Sequence, residues 1–463
     1  MTDNDGAGGR MGLLEAIDES PLTGRYWAMV ATIMISTMFE FFDFFLISFV
    51  VAIVAPEWNL LFGQVAIVLL AAGVGGVFGS FAAGSIGDRV GRRPLMLVSI
   101  VVFSLGTGAG ALSPEGAWLF LAGTRFFVGA AVGALLSATV PMVVELTPTR
   151  LRSNLGAFGT VTLVPVGTLV AAIVASTLGP IVGWRGLLAI GALPVVMALV
   201  AWRTVPESPR WLMERGRYED ARRAVAWVLR RPADSLVADA PPVEAPPGGS
   251  YRALMQYRRT FWGTILAWFG STVAYYGATL WTPTILALLL GISPAEAASL
   301  FLLVIVGGIV GRFVFSLLPQ WMGRRPAGFL MGGGTAVLFA AAAFTHSEFV
   351  AGISLFLILI IAAAVFFDGG LNNLTPLSAE AFPGQLRAHG MGLAQASNAC
   401  GKIMGPLGLA LVAGASNFVN PEATIAAITP GYIYLGLGGV LTAIGFALLP
   451  ETRGKTLEAV ESA

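Results

Sequence analysis

Long apolar stretches alternate with short polar segments along almost the whole chain. A membrane-spanning helix requires about 20 mainly apolar residues, which is the usual length of these stretches. The pattern therefore predicts an all-α membrane protein with twelve spans, at residues 26–53, 62–86, 94–113, 117–142, 153–179, 185–204, 260–289, 296–318, 326–345, 349–375, 386–414 and 427–449. Six spans precede a long polar break and six follow it.

The polar break divides the chain into two six-helix bundles. We expect a cytoplasmic tail at 1–25, an N-terminal bundle at 26–204, a cytoplasmic linker at 205–259, a C-terminal bundle at 260–449 and a second cytoplasmic tail at 450–463. Within the linker, apolar side chains recur at helical spacing among charged ones, which predicts short amphipathic helices beneath the bundles.

The composition agrees with a protein embedded in lipid. Of the 463 residues, 56% are hydrophobic and 11% are charged, whereas a soluble domain carries about 25% charged residues. The charges are separated by loop rather than pooled, so the net charge of +1 does not indicate nucleic acid as a partner. We expect the lipid bilayer as the surroundings and a monomer as the functional unit.

Basic residues are concentrated in alternate loops. One set of loops holds Arg89, Arg92, Arg93, Arg150, Arg152, Arg203, Arg324, Arg325, Arg387, Arg453 and Lys455, and the opposite set holds Glu57, Glu115, Glu296, Glu348 and Glu422. Because cytoplasmic loops are enriched in Lys and Arg, this asymmetry predicts that both termini are cytoplasmic. The expected location is the inner membrane of a bacterium.

The two halves repeat the same short motifs. Gly-Arg-Arg-Pro occurs at 91–94 and again at 323–326, and Glu145 with Pro148 corresponds to Glu380 with Pro383. Repetition at a similar spacing indicates that one half is a duplicate of the other. Two related sets of apolar helices are typical of a transporter with pseudo-symmetric halves.

Several motifs resemble those of the major facilitator superfamily. The loop 87–93, Gly-Asp-Arg-Val-Gly-Arg-Arg, is similar to the loop signature of that superfamily, and 125–133, 206–212 and 450–456 resemble its sugar-porter branch. The segment 40–44, Glu-Phe-Phe-Asp-Phe, looks more like the metabolite–proton and aromatic-acid–proton symporters of the same superfamily.

The resemblance implies alternating access, in which two six-helix halves rock about a central cavity. It also implies a cytoplasmic gate, for which the matching residues are Asp88, Arg92, Arg93, Glu145, Arg152, Glu380 and Arg387. The second copy of the loop signature departs from the pattern, because Gln320 and Trp321 stand where the aspartate is expected.

Ionisable side chains inside a membrane are costly and therefore mark candidate functional sites. We single out five of them, namely Glu40, Asp43, Arg125, Asp368 and Lys402. Asp43 and Arg125 lie at similar depths on antiparallel spans, so we expect them to pair. Proton-coupled sugar porters carry an Asp and an Arg at these motif positions, which implies proton coupling, and a static structural ion pair is the alternative.

Glu40 precedes Asp43 by three residues, which places both carboxyl groups on one helix face. Two carboxyl groups so close together do not both ionise easily, so Glu40 can share the proton-coupling role. Alternatively, Glu40 faces a neighbouring helix as a hydrogen-bonding acid. The sequence leaves both interpretations open.

Lys402 indicates the charge of the transported molecule. The chain has 25 Arg and only two Lys, yet one of these lysines lies in mid-membrane. Gln395 and Asn398 precede it on the same helix face. In the sugar-porter pattern the positions of Asn398 and Lys402 face the cavity and are neutral amides, so a cation here favours an anionic substrate. The alternative is that Lys402 only neutralises Asp368.

The chain departs from the sugar-porter pattern where sugars are usually held. Glutamines and a tryptophan of the pattern are replaced by Ile265, Leu266 and Thr375. Sugars need many fixed hydrogen bonds, because unpaired polar groups are costly to bury. The remaining candidates for the cavity lining are Trp268, Ser271, Tyr275, Tyr276, Trp281, Asn372, Asn373 and Asp368.

These features together predict a proton-coupled symporter that imports a small organic anion, with an aromatic or heteroaromatic carboxylate as first choice. The alternatives are a proton-coupled sugar or cyclitol importer, a metabolite or drug antiporter, and a transporter-like sensor. No ATP-binding motif and no metal-ligand spacing is found, so no cofactor and no enzymatic activity are expected.

Overall fold

The N-terminal half consists of long helices joined by short turns. The structure is a computed structural model and describes residues 11–151, 163–238 and 251–453. A short helix, α1 (Leu13–Glu19), precedes the helices of the bundle, which are α2 (Gly24–Glu57), α3 (Phe62–Val90), α4 (Arg92–Gly110), α5 (Trp118–Leu146), α6 (Val164–Thr177), α7 (Gly179–Ile190) and α8 (Val196–Thr204). The last two are joined by a 3-10 turn at Leu193–Val195 and together form one span.

The linker and the C-terminal half also consist mainly of helices joined by short turns. The linker contains α9 (Pro209–Glu214), α10 (Tyr218–Leu229) and α11 (Tyr251–Leu254), and the C-terminal half contains α12 (Arg258–Leu290), α13 (Pro294–Met322), α14 (Arg324–Phe344), α15 (Leu355–Phe367), α16 (Leu371–Glu380), α17 (Arg387–Val412) and α18 (Pro421–Leu448). Short 3-10 turns lie at Ala233–Ser235 and Gly384–Leu386. Two-residue strands pair β1 (Met11–Gly12) with β2 (Leu236–Val237), and β3 (Phe349–Val350) with β4 (Ile353–Ser354).

Ten segments of the described chain are long and apolar enough to cross a membrane. The shorter apolar helix α6 and the 26-residue helix α17 take the places of the fifth and eleventh spans. The hydrophobic pattern predicts two six-helix halves of this kind, and they form the fold that the resemblance to the major facilitator superfamily implies.

The repeated Gly-Arg-Arg-Pro motif has a structural reason. Gly91 and Gly323 have φ angles of 103° and 97° at the junctions α3–α4 and α13–α14. Only glycine adopts this backbone region without a steric penalty. In both halves the glycine therefore ends one span and lets the next begin after a single residue.

The structure corrects the predicted starts of the tenth and twelfth spans, the second of which begins at Pro421 rather than at residue 427. The tenth span does not begin at residue 349, because 349–354 form the β3–β4 hairpin and α15 starts at Leu355. This span also breaks between Asp368 and Gly370. The sixth span is preceded by a helical turn that starts at Gly179, and the non-helical Gly183 (φ 64°) places the start of its continuous helix next to the predicted residue 185. The predicted start of the fifth span lies outside the described residues.

The two ends of the helical bundle differ in charge. We call the end with Arg92, Arg93, Arg324 and Arg325 the basic end, and the end with Glu57, Glu115, Glu296, Glu348 and Glu422 the acidic end. Exposed tryptophans surround the basic end at Trp27, Trp202, Trp262 and Trp321. Tryptophan is enriched where a protein crosses the membrane–water interface, so these side chains indicate the membrane boundary.

The halves meet along α2 with α12, α3 with α17 and α6 with α13. Among the hydrogen bonds between described residues, those that join the halves lie at the acidic end, where Phe62 N donates to Asn417 O and Val419 N donates to Leu60 O. Phe62 also stacks on Trp281 there. Nearer the basic end, Gln395 on α17 is exposed. Among the described residues the halves are thus joined by hydrogen bonds at the acidic end, and the α17 face that carries Gln395 is exposed toward the basic end.

Candidate functional site

The structure brings Asp43 and Arg125 together in the interior of the N-terminal half. Arg125 on α5 donates from Nη2 to Asp43 Oδ2 at 2.8 Å and from Nη1 to Asp43 Oδ1 at 3.2 Å. The side chains of Asp43 and Arg125 are 0% and 1% exposed. Thr107 on α4 donates a further hydrogen bond to the same carboxylate. Sequence reasoning missed Thr107, because a threonine inside an apolar span gives no signal of its own.

This pair has the geometry that makes a buried charge tolerable. A guanidinium that binds a carboxylate through two parallel bonds combines charge neutralisation with fixed orientation. Burying such a pair still contributes little net stability, because both groups lose their hydration. A pair that is costly to bury and gives little stability is a candidate for function rather than for scaffold.

Glu40 lies one turn before Asp43 on α2 and is also buried. Its Oε2 accepts no hydrogen bond from the residues that the structure describes. Lys402 and Asp43 are the charged groups that act on it electrostatically. An acid with an unsatisfied oxygen beside both a cation and a second acid is well placed to exchange a proton.

Lys402 projects from α17 to the seam between the halves. Its Nζ is 4.9 Å from the ring centroids of Phe44 and Tyr276. No carboxylate lies within ion-pair distance of it in the described part of the chain. Asp368 in particular is bound elsewhere, so the structure contradicts the alternative that Lys402 serves only to neutralise Asp368.

The partner of Asp368 is Arg312, which is absent from the five intramembrane charges singled out from the sequence. Arg312 on α13 donates from Nε to Asp368 Oδ1 at 3.0 Å, and from Nη2 to the same oxygen. Tyr275 lies beside the pair and interacts with both charges. Arg312 could have been found, because it is an arginine inside the predicted span 296–318.

The repeat shows that this second pair is peculiar to the C-terminal half. Arg312 precedes Gly323 by the same number of residues as Ser80 precedes Gly91, and Asp368 precedes Glu380 as Gly133 precedes Glu145. In the N-terminal half the corresponding residues meet through a hydrogen bond from Ser80 Oγ to the Gly133 carbonyl. Both halves therefore have a polar contact between the two corresponding helices, but only in the C-terminal half is this contact an ion pair.

We expect Asp368→Asn to destabilise the protein by about 3–5 kcal/mol, because it leaves the buried charge of Arg312 uncompensated. The double variant Arg312→Gln/Asp368→Asn removes both charges and should recover most of that stability. Thermal unfolding of the purified protein, monitored without a thiol-reactive dye, measures the stability of the single and the double variant. A double variant no more stable than the single one would contradict this account of the pair.

The other predicted cavity residues fall into two groups. Gln395 is exposed, Asn398 is half-buried, and the Asn398 amide donates to Gln395 Oε1 at 3.3 Å, so both lie beside each other on the face of α17 that carries Lys402. The other group uses its polar atoms inside the C-terminal half, as in the bonds Trp268 to Ser378, Ser271 to Thr442, Asn372 to the Arg312 carbonyl and Asn373 to the Arg324 carbonyl.

The predicted gate residues form one arrangement in each half. Arg92 pairs with Glu145, and Glu207 accepts the backbone N–H groups of Arg92 and Arg93. In the second half Arg324 pairs with Glu380 at 2.7 Å, and Glu451 accepts from Arg324 N and Arg325 N in the same way. Each of these contacts joins residues of one half to each other or to the segment that directly follows that half, which agrees with an open basic end.

Glu451 illustrates the electrostatics of this arrangement. Partial burial acts to raise its pKa, but the backbone N–H groups of Arg453, Arg325 and Arg324 favour the charged form, and the pKa of Glu451 is held below its usual value. The acid therefore stays charged at neutral pH and holds the turn that follows α13.

Three further gate residues take part in hydrogen bonds that involve backbone carbonyl groups. Asp88 is exposed, and its backbone carbonyl, not its carboxylate, accepts from Trp211 and Arg215. Arg93 donates to the Trp202 carbonyl, and Arg387 to the Phe382 carbonyl. Arg152 lies outside the described residues.

The family model described as "Sugar (and other) transporter" matches residues 27–463. The chain belongs to this family. It is thereby a member of the major facilitator superfamily, and the family and its relatives are transporters rather than enzymes.

Curated relatives match over most of their length. The niacin transporter NiaP of Acinetobacter baylyi is 27% identical over 97% of this chain and 100% of its own length. The 4-hydroxybenzoate transporter PcaK of Pseudomonas aeruginosa is 27% identical over 86% of this chain and 88% of its own. Relatives named for small organic acids therefore stand among the similar proteins.

Solved structures agree on the fold. An inward-open structure of the xylose transporter XylE from E. coli has a TM-score of 0.72 at 19% identity, and it covers 94% of this chain and 99% of its own. A bacterial homologue of the lysosomal transporter Spinster has a TM-score of 0.70 at 16% identity, over 92% and 98% of the two chains.

Proposed function

We propose that the protein is a proton-coupled symporter that imports a small organic anion by alternating access, with an aromatic or heteroaromatic carboxylate as the preferred substrate. One observation carries this proposal. A lysine in mid-membrane has its ammonium against two aromatic rings and no ion-pair partner among the described residues. Relatives named for niacin and 4-hydroxybenzoate support the same substrate class.

The substrate would lie on the α17 face that carries Lys402, in the cavity open at the basic end. Its carboxylate would bind the Lys402 ammonium in place of the contact with the two aromatic rings. Gln395 and Asn398 would supply amide hydrogen bonds to a ring nitrogen or hydroxyl. Trp268, Ser271, Asn372 and Asn373 are left out of this arrangement, because each of them already makes a side-chain hydrogen bond inside the C-terminal half.

The proton would bind to the carboxyl groups of the N-terminal half. Asp43 alternates in this proposal between its ion pair with Arg125 and a protonated form. The charges of Asp43 and Lys402 both act on the Glu40 carboxyl group. The proton site and the anion site would then share α2, since Phe44 is on that helix as well. A shared helix gives the two binding events a direct physical connection.

The direction of opening follows from the charge of the loops. If the basic end is cytoplasmic, as the positive-inside rule predicts, the arrangement is inward-facing, in a bacterial inner membrane. The contacts of the gate residues within each half would then exchange partners when the basic end closes. We expect this exchange to involve Arg92, Glu145, Arg324 and Glu380.

Transport into proteoliposomes with an imposed pH difference tests the function directly. We expect radiolabelled 4-hydroxybenzoate or nicotinate to accumulate when the outside is acidic, and accumulation to be lost when a protonophore collapses the gradient. D-xylose serves as the neutral sugar control. Accumulation of the sugar without the acids would establish the sugar importer instead, and counterflow of acid against protons would establish an antiporter.

A disulfide across the acidic end should hold the protein in the conformation with this end closed. Leu61 and Phe418 are partners in an antiparallel bridge between the halves, and opposite Cα atoms in such a bridge are about 4.5–5.5 Å apart. This separation suits a disulfide. In a Cys400→Ser background, Leu61→Cys/Phe418→Cys should lose transport in proportion to the oxidised fraction and regain it on reduction.

Each single cysteine variant is the control for this experiment, since neither can form the bond. Full transport by the oxidised, crosslinked protein would contradict the requirement that the acidic end opens during the cycle.

A further inference from the structure

The ammonium of Lys402 contacts two aromatic rings. Its Nζ is 4.9 Å from each ring centroid, and the rings of Phe44 and Tyr276 meet edge to face with centroids 5.6 Å apart. A cation is attracted to the face of an aromatic ring within about 6 Å of its centroid. We call Phe44 and Tyr276 the aromatic clamp.

The two rings of the aromatic clamp come from different halves of the protein. Phe44 is on α2 in the N-terminal half, and Tyr276 is on α12 in the C-terminal half. The clamp therefore requires the relative position that the halves take when the acidic end is closed. It is a property of this conformation rather than of either half alone.

The stem of Lys402 is also fitted to this position. A Cβ placed on Gly73 of α3 would lie 3.3 Å from Lys402 Cγ and 3.4 Å from Cδ. The absence of a side chain at Gly73 leaves room for the lysine stem against the N-terminal half. The stem and the ammonium thus both contact the half opposite to the one that carries Lys402.

Neither nearby acid replaces the rings as the partner of the ammonium. Asp368 is bound to Arg312, and Glu40 is not within ion-pair distance of Lys402. Glu40 Oε2 lacks a hydrogen-bond donor among the described residues, so it is not bonded to the ammonium. In this conformation the aromatic clamp is the direct contact of the lysine charge among the described residues, and Glu40 acts on that charge from beyond ion-pair distance.

We propose that the aromatic clamp competes with the substrate carboxylate for Lys402, and that it thereby promotes release of the anion at the open basic end. The inference rests on the proposed role of Lys402 as the partner of the carboxylate. A partner that is occupied in one conformation binds the ligand more weakly in that conformation. When the halves rock and Phe44 moves away from Tyr276, the ammonium loses one ring and becomes available to an incoming carboxylate.

The clamp can be observed without any substrate, because the chain has only two lysines. In a Lys455→Arg variant, reductive methylation with 13C-formaldehyde labels Lys402 and the N-terminal amine. The methyl resonance of Lys402 should be shifted upfield by the ring currents of the clamp. Phe44→Leu and Tyr276→Leu should each reduce this shift, whereas Phe44→Trp, which keeps an aromatic face, should retain it.

The consequence for binding is measured in the protein held closed by the Leu61→Cys/Phe418→Cys disulfide, with 4-hydroxybenzoate as the probe. Phe44→Leu should bind the anion about 2- to 30-fold more tightly, because the competing cation–π contact is removed. Its release should slow correspondingly. Phe42→Leu, on the same helix but with its ring against Phe39, is the matched control and should leave the affinity unchanged.

The outcomes separate this inference from the proposed function. Tighter binding in both Phe44→Leu and Tyr276→Leu supports the clamp, and the second variant provides the test if the first does not fold. Weaker or unchanged binding in the folded variants, while Lys402→Ala still loses affinity, overturns the clamp and leaves the carboxylate site standing. No loss of affinity in Lys402→Ala overturns both.

Discussion

The Asp43→Asn variant should lose proton-driven accumulation of substrate completely, while exchange of substrate across the membrane persists. Asparagine keeps the shape of the side chain but cannot alternate between a charged and a protonated form. The carboxylate it replaces is 0% exposed and is bound by Arg125 and Thr107. Accumulation and counterflow in proteoliposomes, with and without a pH difference, separate the two activities.

A loss of folding must be distinguished from a loss of coupling in this experiment. Removing one partner of a buried ion pair costs about 3–5 kcal/mol, since the other charge stays buried. The double variant Asp43→Asn/Arg125→Gln removes both charges and should regain stability, as judged by its melting temperature, without regaining accumulation. Asp234→Asn, at an exposed site in the linker, controls for the substitution itself.

The same double variant decides between coupling and a static structural pair. A purely structural pair can be replaced by two neutral groups with little effect on function. If Asp43→Asn/Arg125→Gln concentrates the substrate against its gradient as well as the unaltered protein does, Asp43 is not the coupling site.

The Lys402→Ala variant should bind the anionic substrate about 10- to 150-fold more weakly. A hydrogen bond to a charged group contributes about 1.5–3 kcal/mol, and each 1.4 kcal/mol is about tenfold in affinity. Lys402→Arg should rescue binding only partly, because a flat guanidinium does not replace a compact ammonium. Lys455→Ala removes the only other lysine of the chain and should leave the affinity unchanged.

The comparison of acids with their amides makes this prediction specific. Dissociation constants would be measured for 4-hydroxybenzoate and nicotinate, and for the corresponding neutral amides, with and without Lys402→Ala. The loss should be confined to the acids, because only they carry the charge that Lys402 would bind. Equal losses for acid and amide, or none for either, would rule out the carboxylate assignment.

Much of the fold could be predicted from the sequence, because membrane insertion depends on local composition. Each stretch of about 20 apolar residues must form a helix that satisfies its own backbone, wherever its neighbours lie. The duplicated motifs are equally local, and Gly91 and Gly323 end their helices for a reason internal to each turn. The fold class, its two halves and the family could therefore be inferred without a structure.

The pairing of Asp43 with Arg125 could be expected from depth alone, since each lies a similar distance along an antiparallel span. Depth in the membrane did not suffice to predict the partners of Lys402, Asp368 and Arg312. Whether two intramembrane charges meet also depends on the rotation of each helix about its axis and on which helices are neighbours. The structure places Asp368 against Arg312 and leaves Lys402 to the aromatic rings.

What only the tertiary structure decided is the relation between the halves. Motifs and hydrophobicity are the same whichever end of the bundle is closed, because alternating access moves intact helices past each other. The contacts of Leu60 and Phe62 with the α17–α18 turn identify the closed end. The aromatic clamp depends on the same relation, since Phe44 and Tyr276 meet at Lys402 only when the two halves are brought together there.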